Sequence, residues 1–96
     1  MDRLVSGLTD RHPEVAVLSD EIYSRITYDD KEHISLLSYP ELDDRLILLD
    51  GWSKTYAMTG WRIGIAGGPA GLIKTMSKLQ NQSTGNPSSV SQAAAI

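Results

Sequence analysis

The chain has 96 residues, 41% hydrophobic and 22% charged, with 8 Gly, 4 Pro and no Cys. That is the mix of an ordinary globular chain, with room for one small domain or a piece of a larger one. A formal charge of -3 and a pI near 5.2 supply no basic field for a polyanion, which argues against nucleic acid as a partner. No apolar run approaches the roughly 20 residues that span a bilayer, and Met1-Asp2-Arg3-Leu4-Val5 lacks the apolar core of a signal peptide. The absence of Cys removes disulfides, thiolate metal sites and cysteine nucleophiles together. The expected address is the cytoplasm, with no membrane partner.

Leu4, Val5 and Leu8 stand at helical spacing, and Pro13 ends that pattern after His12. Val15-Ala16-Val17-Leu18 is a short apolar run that ends at Ser19-Asp20. Leu46-Ile47-Leu48-Leu49 ends at Asp50-Gly51, and Ile63-Gly64-Ile65-Ala66 runs into Gly67-Gly68-Pro69. Short continuous runs of this kind predict strands buried on both faces, as in a mostly parallel sheet covered by helices. Pro69 suits the first turn of a helix in which Leu72, Ile73, Met76 and Leu79 form an apolar face, with Lys74 and Lys78 outside. Ser83-Thr84-Gly85-Asn86-Pro87 reads as a loop, and Ser88 as the cap of a last helix carrying Val90, Ala93, Ala94 and Ile96. That helix has no stop signal and the first helix begins within a turn or two of Met1, so residues 1–96 read as an excerpt cut at both ends.

Asp20 closes the first predicted strand and Tyr23 follows three residues later. Ligands of α/β sheets gather at the carboxyl ends of strands, which places an acid there well for binding. Equally, an Asp at such a position caps the following turn and the Tyr packs. The second strand end is richer: Gly51-Trp52-Ser53-Lys54-Thr55-Tyr56-Ala57-Met58-Thr59-Gly60-Trp61-Arg62-Ile63-Gly64 holds a Lys and an Arg eight apart. A lysine between two core strands is costly without a partner or a task. Burial lowers its pKa, and a neutral amine is the form that condenses with a carbonyl. Arginine offers a planar fork that matches phosphate. Taken singly, each is more often a solvated loop charge. Together with Asp20 they answer one demand, that of pyridoxal phosphate: an amine for its aldehyde, a cation for its phosphate and an acid for its pyridine nitrogen.

Other features carry less. Gly64 to Gly71 fits neither the dinucleotide nor the P-loop spacing and reads as packing and turn. His12 and His33 are too few and too separated for a metal site. Asp29-Asp30-Lys31-Glu32 reads as a solvated loop, and Asn81-Gln82-Ser83 as a sequon without consequence in a cytosolic protein.

Ser53-Lys54-Thr55-Tyr56-Ala57-Met58-Thr59-Gly60-Trp61-Arg62-Ile63-Gly64 resembles the lysine signature of class I pyridoxal-phosphate aminotransferases, with the bacterial aspartate group nearest. Ser19-Asp20-Glu21-Ile22-Tyr23 is similar to that family's upstream Asp-x-x-Tyr motif, and Gln82 to Ser89 resembles its downstream Ser/Thr-Asn-Pro loop. The resemblance implies fold type I, a three-layer α/β/α architecture with a mostly parallel sheet whose last strand here is antiparallel. It also implies pyridoxal 5'-phosphate as cofactor, held as a Schiff base on Lys54, with Asp20 on the pyridine nitrogen, Tyr23 on the ring hydroxyl and Arg62 on the phosphate. Ser53 is a weaker phosphate candidate. The implied reaction is transamination between an amino acid, aspartate-like, and a 2-oxo acid, in two half-reactions through pyridoxamine phosphate, by a homodimer. Residues 1–96 would be part of the large, cofactor-binding domain and inactive alone. Two positions depart from the pattern: Gly51 stands where animal-type enzymes carry a phosphate serine, and Trp52 replaces a smaller or different apolar residue. A carbon–sulfur lyase of the same fold would use the same Lys54, Asp20 and Arg62, and some transcription regulators carry a non-catalytic domain of this type. The Ala57-to-Arg62 wording favours the transferase.

Overall fold

The computed structural model describes all 96 residues. Helix α1 (Asp2–Arg11) carries an acid in its first turn and a base in its last, both complementary to the helix dipole. It ends at His12, whose amide donates to the Leu8 carbonyl at 3.2 Å, one residue before Pro13. Three strands follow: β1 (Val17–Asp20), β2 (Leu46–Gly51) and β3 (Gly64–Gly67). They form one sheet in the order β1-β2-β3. Strand β1 runs parallel to β2, from Val17 opposite Leu46 to Asp20 opposite Leu49. Strand β3 runs antiparallel to β2, from Gly51 opposite Gly64 to Leu48 opposite Gly67. Helices α2 (Ala70–Ser83) and α3 (Ser89–Ala94) complete the chain. Ser88 stands at the N-cap of α3, but its carbonyl rather than its side chain makes the closing bond, from Gln92 at 3.0 Å.

The apolar core is small and lies at one end of the sheet. Val5 of α1, Leu36 and Leu42 of two short 3₁₀ turns, and Leu46 of β2 bury one another, with Val17 and Tyr39 packed against them. Arg45 pins the same end: its Nη1 donates to the His12 carbonyl at 2.8 Å and the Val15 carbonyl at 2.9 Å. These bonds hold the linker between α1 and β1 to the start of β2. Two backbone contacts demand glycine. A Cβ on Gly68 would come within 2.7 Å of the Leu46 carbonyl oxygen, and one on Gly51 within 3.1 Å of the Gly64 Cα. Of the glycines around β3, Gly68 thus serves close packing, whereas a Cβ on Gly67 or Gly71 would meet nothing within 4 Å.

The expectation of strands buried on both faces is corrected. Strand β1 alternates between half-buried and exposed, β3 is exposed throughout, and in β2 only Leu46 and Gly51 are buried. The predicted apolar face of α2 is only partly covered: Ile73 and Met76 are half-buried, Leu72 and Leu79 exposed. The reason is coverage. The packing of α1 is on the 40–42 turn, and that of the 36–38 turn on β2, whereas α2 and α3 do not close over the strands. The sheet within this chain is mixed, one parallel and one antiparallel pair. No helix is long and apolar enough to cross a membrane.

Candidate active site

Because β1 and β2 are parallel, their carboxyl ends meet at one edge of the sheet. Asp20 is the last residue of β1, and Tyr23 lies in the turn beyond it. Ser53 and Lys54 lie in the turn that leaves β2 after Gly51. The antiparallel return brings Arg62 to the same edge, two residues before Gly64, which pairs with Gly51. The five residues singled out from sequence thus share one end of the sheet, contributed by three strands.

The turn that carries Lys54 is built by its own backbone. The Trp52 carbonyl accepts from the Tyr56 amide at 3.1 Å and from Met58 at 3.4 Å, and the Lys54 carbonyl accepts from Ala57 at 3.3 Å. Ala57 and Arg62 both adopt positive φ, 54° and 52°, a left-handed conformation that non-glycine residues seldom hold. Between them the 3₁₀ turn Thr59–Trp61 reverses the chain into β3. Arg62 donates from Nη1 to the Thr59 carbonyl at 3.0 Å, which leaves the rest of its fork free.

The Lys54 side chain is exposed, and this corrects the expectation that it lies buried between two core strands: it stands on the turn past the strand end. Asp20 is exposed as well, and its Oδ1 accepts only a long bond, 3.4 Å, from the Ile22 amide. Tyr23 is 57% exposed and Ser53 half-buried. None of these five side chains bonds or ion-pairs with another; the one ion pair in the chain lies elsewhere. Arg62 faces the 84–91 segment across a polar hollow that Gln80, Thr84, Asn86, Ser88 and Ser91 also line. An amine, a carboxylate, a phenol, a hydroxyl and a guanidinium therefore present free polar ends at one sheet edge, a donor set that fits pyridoxal phosphate.

Two residues here were passed over in the sequence. Glu21, beside Asp20, is buried, and its carboxylate accepts from Ser19 Oγ at 3.0 Å, the Leu36 amide at 3.0 Å and His33 Nε2 at 2.8 Å. Burial pushes this carboxyl up, and the bonds from His33, Ser35, Leu36 and Ser19 outweigh burial and hold it below its ordinary value. Thr55, beside Lys54, donates from Oγ1 to the Ile22 carbonyl at 2.7 Å. The only signal for either was adjacency to a residue already singled out.

Residues 4–96 match the model of a family described as aminotransferase class I and II. The chain is 49% identical over 87 residues to a probable aspartate/prephenate aminotransferase of Rickettsia bellii, an alignment that takes in 90% of this chain and 22% of that protein. The crystal structure of the aspartate aminotransferase from Rhizobium meliloti matches it with a TM-score of 0.86 at 46% identity, over 98% of this chain and 22% of that one. The aromatic aminotransferase from Pyrococcus horikoshii OT3 gives 0.89 at 35% identity, over 98% and 25%. The chain spans about a fifth of the length of the relatives it matches.

Proposed function

This chain belongs to the aminotransferase class I and II family, and we propose that the protein containing it transfers an amino group from an aspartate-like amino acid to a 2-oxo acid, using pyridoxal 5'-phosphate. The observation that carries this is the convergence of Lys54, Asp20 and Arg62 at one sheet edge, unpaired with one another. The names of the relatives, aspartate and prephenate aminotransferases among them, support the substrate class. Residues 1–96 are then part of the large, cofactor-binding domain of a three-layer α/β/α protein with a mostly parallel sheet. The exposed apolar side chains of β3 and α2 support that reading, since further strands and helices would cover them. A homodimer is the assembly that goes with it.

When bound, pyridoxal phosphate supplies an aldehyde that condenses with an amine and a ring that takes up electrons from the substrate α-carbon. Lys54 holds the cofactor through Nζ and afterwards carries the proton to and from the substrate carbon. Asp20 keeps a proton on the pyridine nitrogen, and the Tyr23 hydroxyl donates to the ring oxygen. Arg62 takes the phosphate with the part of its fork that Thr59 leaves free. A side chain at Gly51 would press on Gly64 and the Ile63 carbonyl, each 3.1 Å from its Cβ, so the hydroxyl for the phosphate falls to Ser53.

The test is the complete protein with aspartate, 2-oxoglutarate and cofactor, followed by glutamate formation. Lys54→Ala should lower turnover by about 10²–10⁴-fold, the range for a lost acid–base group; an unaffected rate would refute the proposal. The 96-residue chain alone should give no turnover above free cofactor, because the groups that orient substrate supply about 7–11 kcal/mol of the rate advantage.

A further inference from the structure

We infer that Thr55 is a positioning residue for this reaction: its hydroxyl sets the Lys54 turn against the Asp20–Tyr23 turn. The inference rests on the roles proposed above for Lys54, Asp20 and Tyr23. These two turns leave different strands, and 33 residues separate the atoms that join them. One hydrogen bond connects them, from Thr55 Oγ1 to the Ile22 carbonyl at 2.7 Å. A weaker contact lies beside it, where the Arg25 guanidinium stands 5.5 Å from the Tyr56 ring centroid.

The receiving end of that bond is firmly held. Ile22 follows Glu21, whose amide donates to the Leu49 carbonyl at 2.8 Å and whose carbonyl accepts from Ser24 at 2.8 Å. The Glu21 carboxylate accepts from Ser19, His33 and the Leu36 amide, so one residue ties the turn to β2, to its own strand and to the 33–36 segment. The donating end is different. Lys54 makes no side-chain hydrogen bond or ion pair that would aim it, and the backbone bonds inside its turn are 3.1 to 3.4 Å long. Where Nζ starts from is therefore decided by its neighbour. Threonine suits this task because its branched Cβ restricts χ1 and so narrows the directions its hydroxyl can take. A group that must sit within a fraction of an ångström of its productive place needs such support behind it.

A merely structural hydroxyl would satisfy the Ile22 carbonyl and nothing more, and the two roles separate in one experiment on the complete protein. The apo-protein is titrated with pyridoxal phosphate and the absorbance of lysine-bound cofactor is followed, while its melting temperature is recorded without cofactor. Thr55→Val keeps the shape and removes the donor; it should raise the cofactor dissociation constant about tenfold, in line with the loss of a single hydrogen bond. Thr55→Ser restores the donor and should return the constant to within about threefold of wild type, and both variants should melt within a few degrees of it. Thr55→Ala is measured alongside, since it removes the same donor without setting a second methyl against the carbonyl, and it decides the matter if the valine variant does not fold. Wild-type binding matched by T55V and T55A, with only their melting lowered, would reduce Thr55 to a structural role. A wild-type protein that puts no cofactor on lysine would overturn the proposed function, and the role of Thr55 with it.

Discussion

Residues 1–49 bury Val5, Leu36, Leu42 and Leu46 against one another, whereas residues 64–96 bury a single side chain, that of Ser91. In the second region Ile65, Leu72, Leu79 and Val90 are 52%, 39%, 68% and 67% exposed. The first region is held by contacts it contains: a core, the Arg45 clamp and the Glu21 cluster. The second is held by its backbone bonds, by side-chain bonds local to its helices such as that from Gln92 Nε2 to the Pro87 carbonyl at 2.9 Å, and by the pairing of β3 with β2. The candidate site lies at the seam. Asp20 and Tyr23 hang from the packed region, Lys54 and Arg62 from the loop that leads into the open one, and Thr55 bridges the two. The candidate site thus has one well-packed side and one open side within this chain.

Leu42 is fully buried at 0% exposure, so Leu42→Ala should cost about 2–5 kcal/mol in urea unfolding of this chain. Leu79→Ala, at an exposed position of α2, should stay within about 0.5 kcal/mol. Equal losses at the two positions would erase the contrast. The next effect tests the backbone contact that joins the regions. Gly68→Ala drives a methyl to 2.7 Å from the Leu46 carbonyl oxygen and should destabilise by about 1–3 kcal/mol. Gly60→Ala, whose new methyl meets nothing within 4 Å, should leave the unfolding midpoint nearly unchanged.

The smallest effect is a pH dependence confined to the packed region. The folded Glu21 carboxyl lies below its ordinary value of 4.5, with burial opposed and outweighed by bonds from His33, Ser35, Leu36 and Ser19. A carboxyl lowered on folding stabilises fully above its unfolded pKa, and that contribution is lost as pH falls through the folded value. Unfolding midpoints of wild type should therefore fall more steeply below about pH 4.5 than those of Glu21→Gln. Parallel acid limbs for the two proteins would show that the cluster contributes nothing through its charge.

The three strands were legible because each is an apolar run closed by an acid or a glycine, and each lies within two residues of its run. Asp20, Lys54 and Arg62 were grouped from the sequence because an acid, an amine and a guanidinium answer one chemical demand, and the strand pairing puts all three at one end of the sheet. Burial was not legible, since a continuous run such as Ile63 to Ala66 signals affinity for cover and does not supply it. Nor was Glu21: its partners His33 and Leu36 lie 12 and 15 residues away across an irregular loop, where no periodicity marks a contact. Thr55 looked like one more hydroxyl in a polar turn, because the carbonyl it meets belongs to a backbone 33 residues earlier.

The central claim, that Lys54 is the residue that takes up the cofactor, is tested most directly by borohydride reduction of the complete protein in the presence of pyridoxal phosphate, followed by peptide mapping. The account predicts the pyridoxyl mass on Lys54, with Lys31, Lys74 and Lys78 unlabelled. A label on any of those three, with Lys54 unmodified, would contradict it.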